Sequence, residues 1–244
     1  MTDAGKERPA IAIRRSARFD FWVALLTALT TAISFLIAIL TPPKSGPFCL
    51  DNCVGYPYTD IAAYIPRDFL WMYSALLPAP LFVMMVSGLH EHAAIDRKRF
   101  SRLAIAFSAI AATLVSADYF IQLRVIQPAI LKGELDGLAP LSQYNPHGVF
   151  IALEEAGYLF MAITFLFAGL AVTAGDRLHR AIRWVFGIGF AAVVLLFVAL
   201  SIAYGFDVEY RFEVAAITVD WTVLIVAGAL LARTYARHVD GSRP

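Results

Sequence analysis

Charged residues are scarce in this sequence. Only 16% of its 244 residues are Asp, Glu, Lys or Arg, whereas about a quarter is usual in a soluble domain. Apolar residues make up 59% of the chain, and the mean hydropathy is +0.67. Between the charged clusters lie apolar runs of about 20 residues, the length that crosses a bilayer core. This scarcity of charge excludes an ordinary soluble domain and predicts a polytopic membrane protein.

Motifs of several other function classes are also missing. The sequence has no Walker loop, no GxGxxG and no basic nucleic-acid patch. Nucleotide binding through those motifs and a nucleic-acid partner are therefore not expected. No histidine lies in the middle of an apolar run, which argues against a haem held by two histidines. We predict no cofactor.

A metal site is not predicted either. The stretch "HEHAAID" at His90–Asp96 has a spacing that can bind a metal. It lies beside Arg97, Lys98 and Arg99 at the edge of an apolar run, however, and this neighbourhood does not favour a bound cation.

Cysteine occurs only twice, as Cys49 and Cys53 in "FCLDNCVG". The pair falls in a connection that we expect outside the cytoplasm, where disulfides are permitted. We predict a small structural disulfide that closes this loop. The alternative is two free thiols, and a zinc site would need more ligands than the loop supplies.

The apolar runs predict an all-α fold of six transmembrane helices, because lipid offers no hydrogen-bond partner to unpaired backbone groups. Together they form one transmembrane domain at 21–232, between a basic tail at 1–20 and a second tail at 233–244. The expected spans are residues 21–40, 69–89, 103–122, 150–174, 184–204 and 214–232.

The distribution of basic residues predicts the orientation of the chain. Of 20 Lys and Arg, 15 fall in the N-terminal tail, the connections at 90–102 and 175–183, and the C-terminal tail. Cytoplasmic segments collect Lys and Arg. We therefore expect both termini in the cytoplasm and two longer extracytoplasmic loops, at 41–67 and 124–149. The membrane would be a plasma membrane or a bacterial inner membrane.

Two prolines, Pro78 and Pro80, lie in the middle of the second span. Proline removes a helical hydrogen bond and kinks the axis. A kink would open space near Ser74 and Leu76, although neighbouring helices can also accommodate such prolines without further consequence.

Carboxylates inside the spans are the candidate functional groups. Intramembrane acids are costly and mark functional sites by default. At about 1.5 Å per residue, the four acids within the spans lie in one layer, one to two turns below the outer surface. We predict them as catalytic residues, at least one of them protonated at neutral pH. They are Asp118, Glu154, Glu155 and Asp220, with Asp68 and Glu213 at the outer edge.

We expect the adjacent residues Glu154 and Glu155 to have different roles. Neighbouring residues diverge by about 100° around a helix, so the two cannot point at the same spot. Glu154, which shares a face with Tyr158, is the better candidate for the interior. The other glutamate would meet a neighbouring helix or a basic group of the loops. Those basic groups are Arg124, Lys132 and His147.

The favoured hypothesis is a protein that binds, and transforms by acid–base chemistry, a lipidic small molecule. Acidic groups in an apolar cavity can protonate an alkene, epoxide or enol and stabilise developing positive charge. An enzyme of this kind would be an isomerase, a cyclase or a hydrolase, and the outer loops would cover its site. The residues expected to contact the substrate are Trp71, Tyr73, Tyr119, Gln122, Tyr158 and Trp221.

Two other function classes stay open. A proton- or cation-coupled transporter would use the same carboxylates, but the inner halves of the spans are mostly Ala, Leu, Val, Ile and Phe, whereas a transport path needs polarity on both sides. A non-catalytic membrane subunit or receptor-like protein would use them only to pair helices. The expected partners are membrane lipids and a lipidic ligand, with a protein partner or a second copy of the chain as the alternative.

Overall fold

Eight α-helices dominate the computed structural model, which describes residues 4–173 and 175–239. No β-strand occurs in these residues. The prediction of an all-α chain with six helices long and apolar enough to cross a membrane is confirmed. The helices are α1 (Ala4–Ile39), α2 (Leu70–Ala75), α3 (Pro78–His92), α4 (Lys98–Ile121), α5 (Gln127–Lys132), α6 (Val149–Ala171), α7 (Arg177–Tyr204) and α8 (Tyr210–Val239).

Four of the six membrane-length segments contain the predicted spans and extend beyond them, since a helix continues into polar sequence where hydropathy falls. The first segment ends at Ile39, one residue before the predicted end at 40, and the fourth ends at Ala171, three residues before the predicted end at 174. α1 already begins at Ala4, so most of the tail predicted at 1–20 is helical, and residues 1–3 lie outside the described part. α8 likewise includes 233–239 of the predicted C-terminal tail, while 240–244 lie outside the described residues. The six segments are Ser16–Ile39, Arg67–His92, Ile95–Lys132, Val149–Ala171, Arg177–Asp207 and Tyr210–Val239.

The two ends of the helix bundle differ. The long connections, residues 40–66 and 133–148, lie at one end, which we call the loop end. Two short connections, residues 93–97 and 172–176, lie at the other end, which we call the basic end, and the short connection at 205–209 lies at the loop end. At the loop end Cys49 and Cys53 are joined by a disulfide, which confirms that prediction.

The second membrane-length segment is interrupted where the two prolines predict it. α2 ends at Ala75 and α3 begins at Pro78. Pro78 has no N–H for the carbonyl of Ser74, and the Leu77 N–H donates to that oxygen instead, at 3.2 Å. At the break the hydrogen bond spans three residues where an α-helix has four, because proline cannot donate the regular bond.

α1 and α8 form one of the most extensive helix contacts of the bundle. The contact is close because Gly228 of α8 has no side chain. A Cβ atom at Gly228 would lie only 2.8 Å from the carbonyl oxygen of Ala24 and 3.1 Å from the Cβ of Ala28. Small residues permit this approach of two backbones in a membrane helix pair.

Replacing Gly228 with valine should therefore destabilise the fold. The added methyl groups would force α1 and α8 apart, and overpacking of this kind costs roughly 1–3 kcal/mol. We expect a lower midpoint of thermal unfolding for Gly228→Val in detergent. Gly187→Val is the matched control, because a Cβ there meets no atom within 4 Å. Equal losses in both variants would show that the α1–α8 approach is not the cause.

Asp176 ties α7 to α8 at the basic end. Its Oδ1 accepts hydrogen bonds from the backbone N–H groups of Leu178 and His179, both at 3.0 Å, and thereby caps α7. Its Oδ2 accepts a hydrogen bond from Arg237 of α8 at 2.9 Å. The hydrogen bonds from the backbone and the side chain of His179 are the main reason why the pKa of Asp176 is lowered to about 2.

This lowered pKa predicts a pH-dependent contribution to stability. A carboxyl with a depressed pKa in the folded state stabilises the fold above its unfolded pKa of about 3.9. That contribution disappears as the pH falls toward 2. Asp176→Asn keeps a capping side chain but removes the charge. The unfolding midpoint of the wild type should exceed that of the variant at pH 5, and the gap should close by pH 2; a gap that is constant over this range contradicts the assignment.

Candidate functional site

Four acidic residues lie buried among the helices toward the loop end. Asp118 belongs to α4, Glu154 to α6, and Glu213 and Asp220 to α8, and each is at most 9% exposed. Asp118, Glu154 and Glu213 are close enough to interact electrostatically. Packing of α4 against α6, and of α6 against α8, brings these separate segments together.

A pair of tyrosines lies within this acidic cluster. The hydroxyls of Tyr119 and Tyr158 are 2.7 Å apart, and both side chains are fully buried. Glu154 interacts with both tyrosines, and Asp220 interacts with Tyr158. The tyrosine pair therefore links the acid of α6 to the deeper acid of α8.

Several of the carboxyl oxygens have no hydrogen-bond partner in the described part of the chain. These are Oδ2 of Asp118 and both oxygens of Glu154 and of Asp220. Buried polar groups in proteins are nearly always paired, because an unpaired group costs free energy. A carboxyl that served only to hold helices together would be expected to make such bonds.

Glu154 and Glu155 point in different directions. Glu154 is fully buried inside the bundle and interacts electrostatically with Tyr119 and Tyr158, whereas Glu155 is partly exposed. Within the described residues Glu155 makes no ion pair with Arg124, Lys132 or His147. The adjacent pair thus contributes one group to the acidic cluster, and the second lies at its margin.

Of the aromatic residues predicted to contact a substrate, three pack together. The ring centroids of Trp71 and Tyr119 are 5.1 Å apart, and those of Trp71 and Trp221 are 6.4 Å apart. Tyr73 instead lies half-exposed on the outside of the bundle, where its hydroxyl donates to Gln127 at 3.3 Å.

Gln122 is occupied in holding the second long loop. Its Nε2 donates to the carbonyl of Leu141 at 2.6 Å, and its Oε1 accepts from the N–H of Gln143 at 3.1 Å. It lies where α4 passes into a wider π-helical turn at Gln122–Ile126. Such turns recur at functional sites, but both ends of this amide are already engaged by the loop.

A cavity of about 300 Å³ lies at the loop end, above the acidic cluster. Its apolar side is formed by the end of α1 and the beginning of α8, where Ile39 and Val214 are also exposed on the outer surface of the bundle. The remaining apolar wall includes Phe35, Ala38, Phe48, Trp71, Phe150, Ile151, Ile217 and Trp221.

The polar side of the cavity is built largely by the loops. Asp68 accepts a hydrogen bond from Arg67 at 2.6 Å and one from the Tyr144 hydroxyl at 2.8 Å. Burial, and then the neighbouring Asp68, raise the pKa of Tyr144, so this hydroxyl keeps its proton and acts as a donor. The other polar groups lining the cavity are Thr41, Lys44, Ser45, Gln143, Tyr210, Glu213 and Thr218.

Tyr210 connects the first loop, the second loop and α8. Its hydroxyl lies 2.7 Å from the Ser45 hydroxyl and donates to the carbonyl of Gln143 at 2.9 Å. Lys44 is buried beside this contact, and its Nζ donates to the carbonyl of Asp51 at 3.2 Å. The cavity wall thus depends on contacts between segments far apart in sequence.

None of the four predicted catalytic acids lines this cavity. Glu213 does, and it also interacts with Glu154 behind it. The spacing of Glu213 and Asp220, seven residues apart on one helix face, is the sequence signal that associates Glu213 with the cluster. Lys44 and Ser45 carry no such signal, since only the fold of the loop brings them to the cavity.

Comparison with known proteins yields no relative. No protein-family model matches the chain, and no match is found among curated proteins or solved structures. Function is therefore argued from the chemistry of the site.

Proposed function

We propose that this chain binds a lipidic small molecule in the loop-end cavity and acts on it by acid–base chemistry. The observation that carries the proposal is the composition of the cavity wall. One side is apolar and borders the outer surface of α1 and α8, and the other bears Lys44, Asp68 and Glu213. Ligand pockets typically combine an apolar lining with a few convergent polar groups.

The apolar side supports entry from the membrane. Ile39 and Val214 are 66% and 43% exposed on the bundle surface and also line the cavity. In a bilayer such residues contact acyl chains, so an amphiphile could move between lipid and cavity without crossing water. The end of α1 and the beginning of α8 border this entrance, and the close contact of the two helices at Gly228 lies deeper in the bundle.

The polar side supports binding of a polar head. Gln143 lines the cavity, and its buried Nε2 has no hydrogen-bond partner among the described residues. Lys44 supplies a positive charge, although its Nζ also forms an ion pair with Oδ1 of Asp51 at 3.4 Å. An amphiphile would satisfy the free amide donor and would keep its hydrocarbon against Phe35 and Ile217.

Glu213 is the proposed proton donor. It faces the cavity, and Glu154 and the tyrosine pair behind it can hold or return a proton. In an isomerisation, Glu213 gives a proton to one atom of the substrate, and the resulting carboxylate takes a proton from another, so no further reactant is required. The aromatic faces of Trp71 and Trp221 can stabilise a developing cation.

Native mass spectrometry of the purified protein tests the binding step. We expect a lipidic molecule to stay bound after mild detergent extraction. Ala38→Trp should lower its occupancy strongly, because the indole fills space in the cavity. Ala106→Trp, on an exposed position of α4, is the matched control and should retain it. No enriched lipid, or equal occupancy in both variants, contradicts the proposal, and a stoichiometric protein partner would support a subunit instead.

Glu213→Gln separates chemistry from binding. The amide preserves the size of the side chain but cannot donate a carboxyl proton. Once the bound molecule is identified, we expect the variant to retain it and to lose its conversion by at least about 100-fold, the usual contribution of a general acid. Product analysis by liquid chromatography checks this, and Glu155→Gln serves as the control. Unchanged conversion in Glu213→Gln assigns the acid elsewhere.

A further inference from the structure

Helix α1 carries a row of buried polar residues that runs from the basic end to the level of the acidic cluster. The buried face of α1 carries Asp20, Thr27, Thr31 and Ser34, and the three hydroxyl residues are fully buried. Their separations of seven, four and three residues put all four on one side of the helix. At about 1.5 Å per residue this row is roughly 21 Å long, most of the thickness of a bilayer core.

α8 adds two further polar groups along the same contact. Gly228 of α8 lies against Ala24 and Ala28, and Trp221 packs on Phe35 with ring centroids 5.8 Å apart. This antiparallel register brings Asp220 to the level of Ser34. Nearer the basic end, Tyr235 interacts electrostatically with Asp20. We call these six residues, Asp20, Thr27, Thr31, Ser34, Asp220 and Tyr235, the polar seam.

Three members of the polar seam are buried and unpaired. Oγ1 of Thr31, both carboxyl oxygens of Asp220 and the hydroxyl of Tyr235 have no hydrogen-bond partner among the described residues. Each of these residues is at most 3% exposed. Burying unpaired polar groups at three depths along one helix contact costs free energy. All three groups are able to accept and release a proton.

The break between α2 and α3 adjoins the polar seam. Trp71 of α2 packs against Trp221, and His92 of α3 hydrogen-bonds Asp20 at 2.9 Å. Between these two fixed levels the break at Leu76–Leu77 falls near the level of Thr31. Pro80 has no N–H to donate to the carbonyl of Leu76, and interrupted helices in membrane proteins commonly adjoin ion sites.

Both ends of the polar seam reach ionisable groups nearer the surface. At the loop end, Asp220 interacts with Tyr158, which also interacts with Glu213 of the cavity wall. At the basic end, Asp20 contacts His92, whose side chain is 33% exposed and stacks on His238 with ring centroids 6.1 Å apart. One end of the seam therefore approaches the cavity, and the other approaches the surface at the basic end.

We infer that the polar seam is a proton-transfer route through the bundle, from His92 and Asp20 to Glu213 and the cavity. Each carboxyl or hydroxyl accepts a proton from one side and releases one to the other, so no group changes its protonation over a full transfer. This role goes beyond the lipid chemistry proposed above and does not require it.

The row of polar side chains on α1 is interrupted between Asp20 and Thr27, which lie about two turns apart. Here Ala24 and Gly228 are in close contact and supply no polar side chain. A proton crosses these two turns only along water that enters them, and the close contact of Ala24 with Gly228 leaves no room for a hydrated metal ion. Hydrophobic constrictions of this kind gate channels by dewetting. The route should therefore be slow and selective for protons.

Proton flux in liposomes tests the inference. The full chain is reconstituted with a pH-sensitive dye trapped inside, and a potassium diffusion potential drives protons inward. We expect acidification faster than in protein-free liposomes, unchanged when choline replaces sodium. Thr31→Val and Asp220→Asn should reduce the rate to the protein-free level. Thr222→Val is the matched control, since that hydroxyl is exposed on α8, and it should retain the wild-type rate.

Thr31→Ser distinguishes loss of the hydroxyl from misfolding. Serine restores the hydroxyl, so this variant should conduct while Thr31→Val does not, although both change the packing slightly. Wild-type flux at the protein-free level, or equal flux in Thr31→Val and wild type, overturns the inference, and sodium-dependent flux overturns the assignment to protons. Lipid occupancy measured on Thr31→Val keeps the two proposals separate, because it should be unchanged.

Discussion

The close contact of α1 with α8 is the constraint on which the other features of this protein depend. Gly228 allows the backbones to approach, and this approach fixes the register of the two helices. Toward the loop end the same two helices provide the apolar side of the cavity. Along their length the same register aligns the buried hydroxyls of α1 with Asp220. One packing contact thus positions both the proposed ligand site and the proposed proton route.

Glu213 connects the two halves of the proposed chemistry. It borders the cavity and interacts with Glu154, and the tyrosine pair joins Glu154 to Asp220. A buried acid is expensive wherever it lies in a membrane protein, and unpaired ones are more so. Proton exchange among these acids explains why they are grouped around Tyr119 and Tyr158. In that interpretation the acids behind the cavity supply Glu213 with protons and do not touch the ligand.

The features that follow most directly from the sequence are those set by its composition over long stretches. The six membrane-length helices follow from apolar runs, and the pairing of Cys49 with Cys53 follows from their location in one loop. The sequence pointed to Trp71 and Trp221, and to Asp68 and Glu213 at the outer edge of the spans, and all four line the cavity. It did not point to Lys44 or Ser45, since these are ordinary loop residues until the chain folds over α8. The threonines of α1 give no signal in the sequence, because a hydroxyl that donates to a helix carbonyl, as Thr27 does to Val23 at 2.8 Å, fits easily into an apolar run.

The amino-acid sequence alone determined that the chain is all-helical, with six helices long and apolar enough to cross a membrane, because lipid offers no partner to unpaired backbone groups. It also determined that acids would lie toward one end. Only the tertiary structure decided that Glu154 is buried while Glu155 is partly exposed, that Glu213 borders the cavity and that Tyr73 lies outside the bundle. Those outcomes depend on which helix faces meet, and side-chain packing between distant segments sets that choice.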